Sequence, residues 1–115
     1  MHAMIAKVYG IPNCGSVKKA VASLKAQEVD VVFHDFKKHG VDPQLIDEWL
    51  STFGVDKVIN RKGTTWRNLD EHYKAKADSP EGAKALLLEF PTVIKRPVVE
   101  YKGELSIGQT EFGAQ

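Results

Sequence analysis

The sequence predicts an α/β domain in which one mixed sheet carries helices on its faces. Three observations predict it. An apolar run, an amphipathic stretch and a β-branched run follow one another up to Phe36, the pattern of a strand–helix–strand crossover. Capped amphipathic stretches fill the middle of the chain. Two short apolar runs around Lys102-Gly103 then close it, as in an antiparallel hairpin.

Met4 to Tyr9 is apolar apart from Lys7 and ends at Gly10, so it reads as a short buried strand bounded by a turn. From Ser16 onward Val17, Ala20, Val21 and Leu24 recur at helical spacing while Lys18 and Lys25 share another face, which predicts a helix to about Glu28. Val31 to Phe36 is β-branched and aromatic. A strand reached through a helical crossover pairs parallel with the first, in a sheet with both faces covered. Lys37 to Val41 reads as a polar loop. Asp42-Pro43 supplies an N-cap followed by proline at the first helical position; Leu45, Ile46, Trp49, Leu50 and Phe53 make one apolar face, and Gly54 suits the end. Val55 to Gly63 is a connector holding Arg61 and Lys62. Thr64 or Thr65 caps a third predicted helix with Trp66, Leu69 and Tyr73 inward, fading by Lys76. Ser79-Pro80 repeats the cap-then-proline signal, and Ala83, Leu86, Leu87 and Phe90 form a fourth apolar face until Pro91 stops it. Three helices thus separate two sheet segments, Val98 to Tyr101 and Glu104 to Ile107 are the hairpin strands, and Thr110 begins at most one further turn.

At 115 residues the chain is long enough for one core without disulfide or metal staples. Lys and Arg number 16 against 15 Asp and Glu, a formal charge of +1, so no global field points to nucleic acid or to an anionic membrane. The single cysteine excludes an intramolecular disulfide. Met1-His2-Ala3-Met4-Ile5-Ala6-Lys7 lacks the apolar region of a signal peptide, and no apolar run approaches transmembrane length. The expectation is a cytoplasmic monomer without nucleic-acid or membrane partners.

That cysteine, Cys14, falls between the first strand and the first helix, in Gly10-Ile11-Pro12-Asn13-Cys14-Gly15-Ser16. A thiol at the first turn of a helix faces orphan backbone N–H groups and the positive end of the helix dipole, both of which favour thiolate. Lys18 and Lys19 add positive charge one turn on. Gly10 and Pro12 suit a tight turn, Gly15 leaves room for a backbone or a bound sulfur, and Asn13 either caps the helix or bonds a substrate. The stretch by itself leaves two readings open, an activated nucleophile and a buried structural thiol.

Four stretches spread over almost the whole chain carry a resemblance: Tyr9-Gly10-Ile11-Pro12-Asn13-Cys14, Val17-Lys18-Lys19-Ala20, Ile59-Asn60-Arg61-Lys62 and Arg96-Pro97-Val98-Val99. With the order strand, thiol loop, helix, strand, helices, Arg-Pro and hairpin, they resemble a thioredoxin-like (glutaredoxin-like) fold. The resemblance places a helical insertion at about 42–90, between the β-α-β unit and the C-terminal hairpin, within a single domain over 1–115. Within that fold the chain is similar to the ArsC/Spx branch, and most similar to the YffB-like proteins. The resemblance implies that Cys14 is the nucleophile, that Arg61 and Arg96 bind substrate, and that Arg96-Pro97 is a cis bond presenting backbone groups to an extended peptide. Read from the residues alone, Pro97 equally suits the start of an edge strand with a trans bond. The third oxyanion-binding arginine of arsenate reductases falls near Gly108, and their histidine before the cysteine falls at Gly10, so the match to arsenate chemistry is incomplete. The second cysteine of Spx-like regulators falls at Val17, which excludes an intramolecular disulfide switch.

With no resolving cysteine, a mixed disulfide on Cys14 is released by an external thiol, and glutathione is the natural cytoplasmic co-substrate. Its two carboxylates suit Arg61, Arg96 and Lys18, which otherwise read as solvated charges. The expected activity is a glutathione-dependent thiol reductase acting on a small-molecule or protein disulfide, with substrate held by Asn13, Gly15, Lys18, Arg61, Arg96 and Pro97 and with no bound cofactor. A glutathione-coupled arsenate reductase and a non-catalytic Spx-like interaction module are the alternatives. His2, His34, His39 and His72 show no metal-ligand spacing, Trp49 and Trp66 read as packing residues, and Ser16 stands where a phosphate-binding loop needs lysine.

Overall fold

The computed structural model describes residues 4–113; His2 and the start of the Met1–Lys7 stretch lie outside the described residues. The chain divides into two compact units, residues 1–36 with 96–115 and residues 37–95.

The first unit holds β1 (Ile5–Gly10), α1 (Gly15–Ala26), β2 (Asp30–Asp35), β3 (Val98–Tyr101) and β4 (Glu104–Ile107). Its sheet has the order β2-β1-β3-β4. β1 and β2 run parallel with Ile5 opposite Asp30, as the crossover predicts. β1 and β3 are antiparallel with Tyr9 opposite Val98, and β3 and β4 form the expected hairpin. Lys102 and Gly103 both have positive φ, 55° and 72°, the primed turn whose twist matches that of the strands. Ala6 and Val8 of β1 and Val99 of β3 pack against Val17, Ala20 and Leu24 of α1 in one buried cluster.

Coverage of both faces along the crossover is not what is found. Ile5 is 58 % and Val32 51 % exposed on one face, and Phe33 is 38 % exposed on the other. The reason is position: β2 is an edge strand, with a neighbouring strand on one side only. The C-terminal residues differ too. Residues 109–113 form no helix; Phe112 instead enters the core cluster, where its N–H donates to Ser23 Oγ at 2.9 Å.

The second unit is helical: α3 (Pro43–Phe53), α4 (Val55–Val58), α5 (Thr64–Arg67), α6 (Glu71–Ala75) and α7 (Pro80–Glu89), preceded by the short α2 (Phe36–His39) at the boundary. The cap signals hold where they were strongest. Asp42 accepts from Gln44 N–H and Ser79 from Gly82 N–H, each followed by proline at the first helical position. Ile46 and Trp49 of α3 and Ala83, Leu86 and Leu87 of α7 are buried, and Lys84 bridges to Asp47 at 2.9 Å.

Three expectations need correction. Lys37 to Val41 is not all loop, because Phe36 to His39 close a helical turn that ends in the left-handed Gly40, φ 65°. The connector after Gly54 contains α4, and Ile59 forms an isolated antiparallel bridge with Ile94. The third predicted helix is two helices: Asp70 accepts from Tyr73 N–H and starts α6 afresh. There a local cap overrides the apolar spacing of Trp66, Leu69 and Tyr73, which are only partly buried. Thr65, offered as a cap, bonds Thr92 at 2.8 Å instead, and Gly63 occupies the cap position.

Candidate active site

The site is built where β1 ends. Gly10 closes the strand, Ile11 to Asn13 turn the chain, and Cys14 is the N-cap of α1 with an extended backbone, φ −99° and ψ 124°. The capping residue is therefore Cys14 and not Asn13, which is exposed one position earlier. The Cys14 carbonyl accepts the first helical bond, from Lys18 N–H at 3.0 Å. Ser16 and Val17 follow at the second and third helical positions, so their N–H groups are among the orphan donors of the first turn.

The sheet brings in the second component. β3 pairs with β1 so that Tyr9 lies opposite Val98, which carries Arg96 and Pro97, just before β3, to the end of β1 where the thiol loop begins. The Arg96-Pro97 bond is cis, as the resemblance implies. Pro97 is buried and its carbonyl accepts from Gly108 N–H at 2.8 Å. The position to which the resemblance assigns a third arginine is thus a bend just after β4, with φ 74° at Gly108.

These neighbours decide the state of the sulfur. Partial burial pushes the Cys14 thiol up, but the Val17 N–H, the Arg96 guanidinium and the Ser16 N–H, with the charge of Arg96, together outweigh it and hold the thiol below its ordinary value. The side chain makes no capping hydrogen bond, and the thiolate is the form that these donors favour. The charge acting on the sulfur is that of Arg96, where the sequence had pointed to Lys18 and Lys19. Lys18 lies elsewhere, lining a groove of about 420 Å³ with Pro12, Val17, Val21, Lys25 and Phe33.

Gly15 opens α1 with nothing within 4 Å of where a Cβ would stand, so the space over the helix start is free, as the sequence suggested. Arg61 belongs to the second unit. It pairs with Asp56 at 2.9 Å, lies over the Trp66 ring at 5.4 Å, and lines a basic pocket of about 400 Å³ with Lys57, Lys62 and Lys95. Among the described residues no group of His, Cys, Asp and Glu is arranged to hold a metal ion, and no helix is long and apolar enough to cross a membrane. Sequence reasoning missed the Ser16 and Val17 amides as named contributors and missed Gly10 as a packing residue. The only signal for these was position relative to Cys14.

Comparison with known proteins gives a consistent picture. The ArsC family model matches residues 9–112. An uncharacterized protein of Haemophilus influenzae is 40% identical over 104 residues, covering 90% of each chain. Among solved structures, a YffB protein is 40% identical with a TM-score of 0.81, covering 89% of each chain. An arsenate reductase (ArsC) related protein from Brucella melitensis is 38% identical with a TM-score of 0.73, covering 95% of this chain and 90% of that one. An arsenate reductase from Vibrio cholerae, 20% identical with a TM-score of 0.76 and covering 93% and 92%, shares the fold.

Proposed function

The chain belongs to the ArsC family, and from its arsenate reductase-like redox character we propose that it is a glutathione-dependent thiol reductase working through Cys14 alone. The observation that carries this reading is a thiol at the N-cap of α1, held toward thiolate by Arg96 and the first-turn amides, in a chain without a second cysteine.

In the first step the Cys14 thiolate attacks the glutathionyl sulfur of a mixed disulfide, forming Cys14–S–S–glutathione as the substrate thiolate leaves. In the second, a glutathione thiolate attacks that glutathionyl sulfur, giving oxidised glutathione and returning the Cys14 thiolate. The arrangement that stabilises the thiolate as reactant also stabilises it as leaving group. Arg96 beside the sulfur meets a glutathione carboxylate in a bidentate geometry that lysine cannot reproduce, and the open space over Gly15 admits the incoming sulfur. Lys18, Asn13 and Arg61 are assigned supporting contacts with the peptide, Arg61 on the resemblance alone. The substrate is a small-molecule or protein disulfide, and the reaction needs no bound cofactor.

Reduction of arsenate is the second reading, supported by the guanidinium at the nucleophile. Against it stands Gly108, a backbone turn where those reductases carry their third arginine. A glutathione mixed disulfide, with glutathione reductase and NADPH reporting turnover, tests the first reading: wild-type protein turns over and Cys14→Ser does not. Turnover retained in Cys14→Ser removes it. Absence of turnover in wild type, with arsenate-dependent oxidation of glutathione, transfers the assignment to the oxyanion. Capture of a partner protein by Cys14→Ser, with neither activity in wild type, marks an interaction module.

A further inference from the structure

Gly10 is buried at the end of β1, and its conformation is one that any residue adopts, since its φ is not positive. What the position lacks is space. A Cβ built on Gly10 would lie 2.6 Å from Val17 Cγ2 and 3.6 Å from Cγ1. Val17 cannot easily give way: it is 2 % exposed, and a β-branched side chain in a helix has one strongly preferred rotamer. To restore ordinary contact its methyl group must retreat by about 0.8 Å, which moves the first turn of α1 with it.

Val17 stands at the third position of α1, and its N–H is the largest influence favouring the Cys14 thiolate. The geometry points to Gly10 as a positioning residue: its missing side chain lets Val17 press against the end of β1 and so seats the first turn of α1 under the Cys14 sulfur. The assignment rests on Cys14 being the working thiol, as in the reductase reading, but its test reads the sulfur and not the turnover. The groups acting on that sulfur are the Val17 and Ser16 N–H from α1 and the Arg96 guanidinium from the residue before Pro97. The three atoms nearest a Cβ at Gly10 all belong to Val17, so the α1 donors are the ones it displaces first. A shift of the order of 1 Å is enough to loosen a pre-organised contact of this kind.

The experiment measures the thiolate of Cys14 directly, by ultraviolet absorbance and by the rate of alkylation with iodoacetamide as pH is varied, in wild type, Gly10→Ala, Val17→Ala and the double variant Gly10→Ala/Val17→Ala. The expected result is a titration displaced upward in Gly10→Ala, with alkylation at pH 7 slowed about threefold or more; Val17→Ala, which lacks the Cγ atoms that the new Cβ would meet, is the reference for the double variant. The double variant, in which no Cγ2 meets the new Cβ, returns to the titration of Val17→Ala. An unchanged titration in folded Gly10→Ala overturns the assignment, and so does a double variant that keeps the displaced titration. If Gly10→Ala does not fold, the double variant decides: folded with the titration of Val17→Ala it supports the assignment, and unfolded or displaced from that titration it refutes it. Loss of glutathione turnover with these titrations intact would count against the reductase reading alone.

Discussion

Replacing Arg96 by alanine removes the only side-chain cation among the described residues that acts on Cys14, and the consequence follows from the site. A hydrogen bond to a charged group contributes about 1.5–3 kcal/mol. The sulfur is only partly buried, so solvent screening reduces the share carried by Arg96 to about 1 kcal/mol. At about 1.4 kcal/mol per decade, Arg96→Ala lowers the thiolate fraction below the titration midpoint by about fivefold. The Val17 and Ser16 N–H groups remain and keep the thiol from rising to the level set by burial alone. Arg96→Lys keeps the charge but loses the planar fork, and falls between the two. The assay is the pH dependence of iodoacetamide alkylation, with circular dichroism confirming the fold. An unchanged or lower midpoint in folded Arg96→Ala refutes the argument, for it would mean that the guanidinium does not reach the sulfur.

The same lowering predicts a stability effect with a definite sign. The folded thiol titrates below the unfolded one, so between the two the unfolded chain binds more protons and stability rises with pH. Wild type therefore gains on Cys14→Ser in urea as pH approaches that of the free thiol, and the gain disappears as pH falls through the folded value. Two helix-start glycines respond oppositely to alanine. Gly15→Ala, with open space around the new Cβ, is neutral or stabilises by up to about 1 kcal/mol; Gly82→Ala drives its Cβ into the Lys76 carbonyl and destabilises by about 2–3 kcal/mol, both read by thermal melting. Trp49→Ala empties the largest fully buried side chain among the described residues and costs about 3–5 kcal/mol in urea unfolding. On the glutathione reading, Arg61→Ala, which removes a partly exposed charge, raises the KM for glutathione up to about fivefold without changing kcat; an unchanged KM withdraws Arg61 from the site.

Much of this protein was readable before any coordinates because it is local. The thiol at a helix start, the Asp42-Pro43 and Ser79-Pro80 caps and the Lys102-Gly103 turn each depend on a few consecutive residues whose backbone chemistry acts over one turn. The parallel crossover followed from connection length and handedness. Errors arose where two local signals competed. Between Thr64 and Lys76 the apolar spacing argued for one helix, but the Asp70 side chain satisfies a backbone donor at short range and splits it into α5 and α6. Exposure of Val32 and Phe33 was hidden because the sequence of β2 does not say that it forms an edge.

The candidate site divides along the same line. The neighbourhood of Cys14 was enough to place a thiol at a helix start while leaving a nucleophile and a structural thiol both open, and the carbonyl-to-amide geometry of the first helical turn follows from the chain itself. The choice of Arg96 over Lys18 as the cation at the sulfur was made by the β1–β3 register, which brings two ends of the chain together through hydrogen bonds that no local pattern encodes. Gly10 is the same case in miniature. From the sequence it is a turn residue; its part in seating α1 exists only because Val17, seven residues on, packs into the space where a side chain would stand. Local backbone chemistry is written in consecutive residues, whereas steric fit and charge pairing between distant segments come into being only when the sheet closes.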